Sequence, residues 1–309
     1  MSKILVFGHK SPDTDAVTSA ISFSHLQKQL GNDTEAVALG EIGEETAFAL
    51  NYFNIDKPRV VSTVANEVKQ VMLVDHNEAQ QSADDIEKVE VLSVVDHHRI
   101  ANFQTANPLY YRAEPVGCTN TIILKMFKEQ QIEVPKEIAG IMLSAIISDT
   151  LLLKSPTCTE EDVAAAEELA KTAGVDLNDY GIELLKAGTK TSEKSAETLL
   201  EADAKTFPMG EQTVRIGQVN VVDVDEMLER KSELLEAMKT QSELQGYDLF
   251  ILLITNVLEN DSTAVVYGKY FEIVSEALKS SIDDNVMFLE GVVSRKKQVV
   301  PQLTLAFED

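Results

Sequence analysis

The stretch Ile4-Leu5-Val6-Phe7-Gly8-His9-Lys10-Ser11-Pro12-Asp13-Thr14-Asp15-Ala16 decides the fold. Four consecutive apolar residues are the length of a strand buried on both faces, as in a parallel sheet. A polar loop follows, and then the spacing predicts a helix over 16–30, stopped by Gly31. The same alternation continues outward. Strands are expected over 35–39 and, more weakly behind Pro58, over 59–61, with a helix over 44–53 between them. Val71-Met72-Leu73-Val74 and Val91-Leu92-Ser93-Val94-Val95 are two more buried-strand runs. Helical patterns then cover 119–130, 136–148 and 160–173. Strands alternating with helices in this way predict a parallel sheet covered on both faces.

The rhythm changes near 186–194, where Gly188, Thr189, Thr191 and Ser192 interrupt the helical pattern. Beyond it a strand is expected over 213–222, a helix over 225–244, and strands over 249–254, 263–267 and 292–293. In that helix Met227, Leu228, Leu234, Leu235 and Met238 recur at helical spacing, which marks a core face. The expected fold class is α/β in two domains. Residues 1–187 form an N-terminal domain with a mainly parallel sheet and helices on both faces. A linker spans 188–194, and 195–309 form a smaller mixed α/β domain. A length of 309 residues agrees with two domains.

The 27 basic residues against 51 acidic ones give a net charge of −24. Such a chain is unsuited to broad binding of nucleic acid or anionic membrane. Any phosphate-binding spot must therefore be local. Cys118 and Cys158 stand far apart and outside any CxxC pattern, so a reduced, cytosolic setting is expected. No apolar run approaches the ~20 residues of a membrane span, and none resembles an export signal. A soluble, cytoplasmic protein is the expectation.

Four of the five histidines, His9, His76, His97 and His98, lie where an apolar run ends. The fifth, His25, sits inside a helical pattern and reads as structural. Strand ends thus carry Gly8-His9 with Pro12-Asp13-Thr14-Asp15, then Asp75-His76-Asn77, then Asp96-His97-His98-Arg99. Taken singly, Asp15 can be a helix cap, Asp13 an Asx-turn and Asp75 a turn residue. Taken together they matter more, because neighbouring parallel strands share one crevice at their carboxyl ends. Asp149 follows an apolar helical run, where the helix dipole disfavours a carboxylate and a cation would explain it. Should Asp13, Asp15, Asp75 and Asp149 converge, their mutual repulsion calls for cations, and two divalent ions balance four carboxylates. Imidazoles from His9 and His97 shift the preference from magnesium or calcium toward manganese, cobalt or another transition ion. A two-metal centre of this kind suits in-line phosphoryl displacement.

A phosphate substrate near such a centre needs positive charge. Ser294-Arg295-Lys296-Lys297-Gln298 is the tightest basic cluster in the chain, set between Val292-Val293 and Val299-Val300. A charge run is commonly a solvated face. Its apolar flanks and its arginine, with planar bidentate geometry, favour a phosphate clamp.

These strings resemble those of the family II inorganic pyrophosphatases, in the DHH phosphoesterase superfamily. The Asp96-His97-His98 motif marks the superfamily, and Ser294-Arg295-Lys296-Lys297-Gln298 narrows it to the pyrophosphatases. The likeness spans both domains. Its length leaves no room for the regulatory nucleotide-binding insert of some members, and Ser11 stands where asparagine is expected. The resemblance implies that His9 and Asp13 hold a first metal, that Asp15, His97 and Asp149 hold a second, and that Asp75 bridges them. It implies His98 as general acid, Asp96 and His76 as residues orienting imidazoles, and Lys205, Arg295 and Lys296 as phosphate ligands. It also implies manganese or cobalt activation with two ions per site, magnesium accompanying the substrate, and a homodimer formed through the N-terminal domain.

The function expected is hydrolysis of pyrophosphate to two orthophosphates by a hydroxide that two metals activate, with the C-terminal domain closing over the substrate. A DHH-type phosphodiesterase or exopolyphosphatase acting on short oligonucleotides, cyclic dinucleotides or polyphosphate is the alternative enzyme. Its relatives carry a glycine-rich, histidine-containing motif where Gly291-Val292-Val293-Ser294-Arg295 stands here. A non-enzymatic metal- or nucleotide-binding module is the third reading. The lack of a GxGxxG or P-loop string weakens its nucleotide form.

Overall fold

Four aliphatic and aromatic residues, Ile4–Phe7, form strand β1, and all four are buried. Gly8 ends it because helix α1 (Thr14–Gln29) begins hard against the strand exit. A Cβ at Gly8 would lie 2.6 Å from Ala16 atoms. The computed structural model describes residues 3–189, 191 and 194–308. Of the expected linker, positions 190, 192 and 193 lie outside the described residues. The chain divides into two compact units between Gly188 and Thr189.

In the first unit β1 and α1 are followed by β2 (Thr34–Ala36), α2 (Glu44–Tyr52), β3 (Gln70–Val74), β4 (Glu90–Asp96) and β5 (Tyr110–Ala113). Four helices complete it: α3 (Thr119–Glu129), α4 (Lys136–Thr150), α5 (Glu160–Ala173) and α6 (Leu177–Gly188). The strand order is β2-β1-β3-β4-β5 with every pair parallel. The order reverses between β1 and β3, so the chain leaves these two strands in opposite lateral directions. Their carboxyl ends therefore open a crevice there, where open α/β sheets bind ligands. Leu5, Phe7, Val71, Leu73 and Val94 line one sheet face. Val37, Leu39, Val64, Val68 and Ala83 close over it. Helix α1 packs on β1 and β3, α3 packs on β4, and α4 packs behind α1.

The second unit runs α7 (Ala196–Ala202), β6 (Ala204–Met209), β7 (Gln212–Val221), α8 (Val224–Glu229), α9 (Lys231–Gln245) and β8 (Leu249–Asn256). It continues with β9 (Asp261–Gly268), α10 (Phe271–Leu278), β10 (Val286–Leu289), a π-helical turn at Arg295–Val299, and α11 (Val300–Glu308). Its sheet is mixed, in the order β10-β9-β8-β7-β6, with only β7 and β8 parallel. The central strand β8 is buried on both faces. Phe250, Leu252 and Ile254 meet α7 and α9 residues on one side, while Ile251 and Leu253 join a core with Val274 and Leu303 on the other.

Several boundaries differ from the sequence expectation, each for a local reason. No strand forms over 59–61; Val60 makes a single bridge to Ala38, and Pro58 just before it has no N–H to offer a ladder. The expected helix over 225–244 breaks at Arg230, whose guanidinium donates to the carbonyls of Thr191 and Lys194 at 2.7 and 2.9 Å. Residues 292–293 are not a strand. Their carbonyls accept side-chain hydrogen bonds from Ser262 and Gln218 instead. Helix α4 runs to Thr150, so Asp149 lies in its last turn rather than beyond its end.

Candidate metal centre

Each potential ligand of the crevice is delivered by a strand exit or a helix end. Asp13 caps α1, its Oδ1 accepting the Ala16 N–H at 2.9 Å, while Oδ2 turns to His9 Nε2 at 3.4 Å. The capping and the site roles thus use different oxygens of one carboxylate. Ser11, just upstream, has φ 52, a left-handed conformation that asparagine adopts readily. Asp75 leaves β3 with φ 56, also left-handed, and its side chain is 1% exposed. Asp15 is buried in the first turn of α1, and Asp149 is partly exposed near the end of α4.

These side chains converge. Asp75 Oδ2 lies 3.5 Å from His9 Nε2, and Asp75 Oδ1 lies 3.3 Å from His97 Nε2. His97 Nε2 is also 4.0 Å from Asp149 Oδ2. Ligand atoms of His9, Asp13 and Asp75 all fall within 4.8 Å of one another, as do those of Asp15, His97 and Asp149. Asp75 presents one oxygen toward each group. His98 joins a third such grouping with Asp75 and His97. Asp13, Asp75, His97, His98, Asp149 and Thr157 line part of one open cavity of about 430 Å³.

The imidazoles have assigned tautomers. A carbonyl only accepts, so His9 Nδ1 donates to Lys10 O at 2.8 Å and His97 Nδ1 donates to Val116 O at 3.0 Å. Both Nε2 atoms are then left for the crevice. His98 Nδ1 donates to Asp96 Oδ1 at 2.9 Å, and Asn77 Nδ2 donates to the other Asp96 oxygen at 2.7 Å. Asp96 therefore holds the His98 imidazole. His76 orients no imidazole. Its Nδ1 bonds to Val74 O and its Nε2 to Ser82 Oγ, so this buried ring is spent on the strand end. His25, mid-helix, stacks on Phe127.

The electrostatics are those of a crowded anion. Burial, then the charges of Asp15 and Asp13, push Asp75 well above the usual carboxylate range. Burial, then Asp15 and Asp75, do the same to Asp149. Burial alone would pull His9 down, yet Asp13 and Asp75 together raise it to about 9. The Asp96 hydrogen bond raises His98. Burial lowers His76 to about 4. Two buried carboxylate oxygens, Asp75 Oδ2 and Asp149 Oδ2, have no hydrogen-bond donor. Buried polar atoms are rarely left so. A divalent cation on each side of Asp75 would satisfy both, and the mixed oxygen and imidazole donors suit manganese or a similar ion.

In the second unit the basic string is largely occupied by its own surroundings. Arg295 is buried and donates to the carbonyls of Asp203 and Ile216, and its Nη2 pairs with Asp203 Oδ1 at 2.8 Å. Gln298 Oε1 accepts the N–H groups of Val293 and Ser294. Lys296, Lys297 and Lys205 remain exposed.

Polar residues that the sequence reading passed over complete the surroundings. Asn120 and Thr119 hold Asp15 and Asp75. The half-buried Glu45, raised by burial, accepts from Thr14 and Ser148, next to Asp13 and Asp149 in sequence. Of the groups in these bonds, only Thr14 stands beside a strand-exit aspartate, Asp13, in the sequence.

An open parallel sheet whose switch-point crevice carries Asp-His-His at one strand exit and paired aspartates at another defines a DHH phosphoesterase. The model of the DHH family N-terminal domain matches residues 3–146, and that of the DHHA2 domain matches residues 182–306. A protein of Enterococcus faecalis called "Probable manganese-dependent inorganic pyrophosphatase" is 61% identical over 307 residues, covering 99% of this chain and 100% of its own. One of the same name from Brevibacillus brevis is 58% identical over 308 residues, covering 100% and 99%. The solved structure titled "Crystal structure of Methanococcus jannaschii putative family II inorganic pyrophosphatase" is 38% identical with a TM-score of 0.61, covering 99% of this chain and 100% of that one. The chain belongs to the family II, manganese-dependent inorganic pyrophosphatases, a family of metal-dependent hydrolases.

Proposed function

We propose that the protein hydrolyses inorganic pyrophosphate to two orthophosphates at the crevice of its first unit. The observation that carries this is Asp75, buried between two carboxylate–imidazole groups with one oxygen turned to each. His9, Asp13 and Asp75 would hold one cation and Asp15, Asp75, His97 and Asp149 the other. Two manganese or cobalt ions held there would lower the pKa of a water between them and neutralise charge in an in-line displacement at phosphorus. His98, half exposed on the cavity with its Nδ1 held by Asp96, would act as general acid toward the leaving phosphate. Asp96 fixes that ring, and Asn77 fixes Asp96.

In this reading Lys205, Lys296 and Arg295 of the second unit grip the phosphates, with that unit closing over the substrate and excluding water. The two lysines are exposed; Arg295 would have to exchange Asp203 for a phosphate oxygen. The same reading carries magnesium with the substrate, a homodimer through the first unit, and residence in the cytoplasm. Among the described residues no helix is long and apolar enough to cross a membrane.

The test is one assay of manganese-loaded protein offered pyrophosphate, a nucleoside triphosphate, a dinucleotide and a phosphomonoester in competition. Pyrophosphate should be consumed far faster than the rest; equal rates reject the assignment, and preference for the dinucleotide favours a phosphodiesterase. His98→Gln should lose kcat by roughly 10²–10⁴-fold while keeping its manganese, and unchanged turnover removes it from the mechanism.

A further inference from the structure

One short stretch, Val116-Gly117-Cys118-Thr119-Asn120, lies between β5 and the first turn of α3 and hydrogen-bonds to the candidate ligands His97, Asp15 and Asp75. Two contacts are made by its backbone: Val116 O accepts His97 Nδ1–H, and Thr119 N–H donates to Asp15 Oδ2 at 2.7 Å. Two are made by side chains. Thr119 Oγ1 donates to Asp75 Oδ1 at 3.1 Å, and Asn120 Nδ2 donates to Asp15 Oδ1 at 2.8 Å. Both residues are fully buried, so no water competes for these bonds.

The stretch is itself pinned from behind. Ser22 Oγ donates to Asn120 Oδ1 at 2.7 Å, which sets the direction of the amide. Asp162, in the capping box of α5, accepts the Gly117 N–H at 2.8 Å. A Cβ on Gly117 would stand 2.8 Å from that Asp162 oxygen, so the approach needs glycine. Asp15 thus receives donors on both oxygens and cannot rotate freely. Asp75 receives one on Oδ1 and keeps Oδ2 open.

We propose that Thr119 and Asn120 are positioning residues of the metal centre, orienting Asp75 and Asp15 so that one carboxylate serves both cations and the other serves one. This rests on the two-metal reading given above. A ligand held by a neutral donor keeps its charge for the cation and is spared the cost of finding its orientation at each binding event. Threonine is required for its hydroxyl, because valine has the same shape and leaves Asp75 unheld.

The experiment titrates manganese into wild type, Thr119→Val, Thr119→Ser and Asn120→Ala after chelation, following free Mn²⁺ by paramagnetic resonance, with thermal unfolding of each chelated protein alongside. Wild type should take up two ions. Thr119→Val and Asn120→Ala should bind about 10–100-fold more weakly, with Thr119→Ser restored close to wild type. The chelated Thr119→Val protein should still unfold cooperatively, at a temperature lowered only by the loss of one buried hydrogen bond. Manganese binding by Thr119→Val as tight as wild type, or a serine variant as weak as the valine one, overturns the proposal. Wild type that takes up no manganese overturns the two-metal reading and this proposal with it.

Discussion

The crevice of the first unit and the basic turn of the second treat their charged groups in opposite ways. In the first, acidic side chains are buried together with too few donors, so Asp75 and Asp149 each keep an oxygen that no protein group satisfies. In the second, the buried member of the basic string is satisfied internally: Arg295 is engaged by Asp203 and Ile216, and Gln298 staples the turn to itself. An unsatisfied buried group destabilises the fold until something binds it. A satisfied one supports the fold directly. Unsatisfied carboxylate oxygens therefore mark the crevice, while Gln298 and Arg295 complete the turn that carries Lys296 and Lys297.

The contrast is sharpest at Asp75. Asp75→Asn should lower kcat on pyrophosphate by on the order of 10³-fold or more, because the variant lacks the shared charge. Yet the same substitution should leave the chelated protein at least as resistant to heat as wild type, since it removes a buried charge that burial and Asp15 disfavour. A lower unfolding temperature for the chelated variant would break the comparison.

Metal removal and pH probe the same imbalance. His9 is raised from 6.5 to about 9, and Asp75 and Asp149 are raised as well, so the metal-free fold holds more protons than the unfolded chain. Stability that depends on those protons is present at low pH and lost as pH rises, for His9 between about 6.5 and 9. The chelated protein should accordingly melt earlier at pH 8.5 than at pH 6.5. Manganese displaces the protons, so its apparent affinity should rise with pH, by up to about tenfold per unit for each proton released. A pH-independent affinity would contradict this account of the site.

The smallest effects belong to the second unit. Arg295→Gln should cost about 2 kcal/mol of stability, metal present or absent, because two carbonyls lose a charged donor. Lys296→Ala and Lys205→Ala should each fall within about 0.5 kcal/mol of wild type and instead raise KM for pyrophosphate. Thermal unfolding of the three variants beside their kinetics separates scaffold from contact. Equal stability losses in all three would erase the distinction.

The crevice was legible because its residues sit at strand exits, where an apolar run giving way to Asp or His is visible in one dimension. Asp149 was legible by its misfit with the helix dipole, although α4 extends two residues past the expected end. His76 looked equivalent to its neighbours, and only the coordinates show both ring nitrogens bonded to the strand end and Ser82. Thr119, Asn120 and Glu45 gave no signal, since neutral or lone polar residues in helical segments carry no pattern that separates a ligand's partner from ordinary packing. β5 and β6 were missed because edge strands with mixed exposure lack the continuous apolar run of a central one.

By itself the sequence determined which chemistry the chain can hold: carboxylates and imidazoles at the ends of parallel strands, a basic string elsewhere, and the family both belong to. Hydrophobic period and strand-exit composition are local, so they survive in the linear order. Which oxygen of Asp75 faces which histidine, which carbonyl sets each tautomer, and whether Arg295 is free or engaged were decided only by tertiary structure. Those are questions of direction and satisfaction among residues as far as 105 positions apart. They are settled when packing chooses a partner for every buried polar atom, and where it leaves one without.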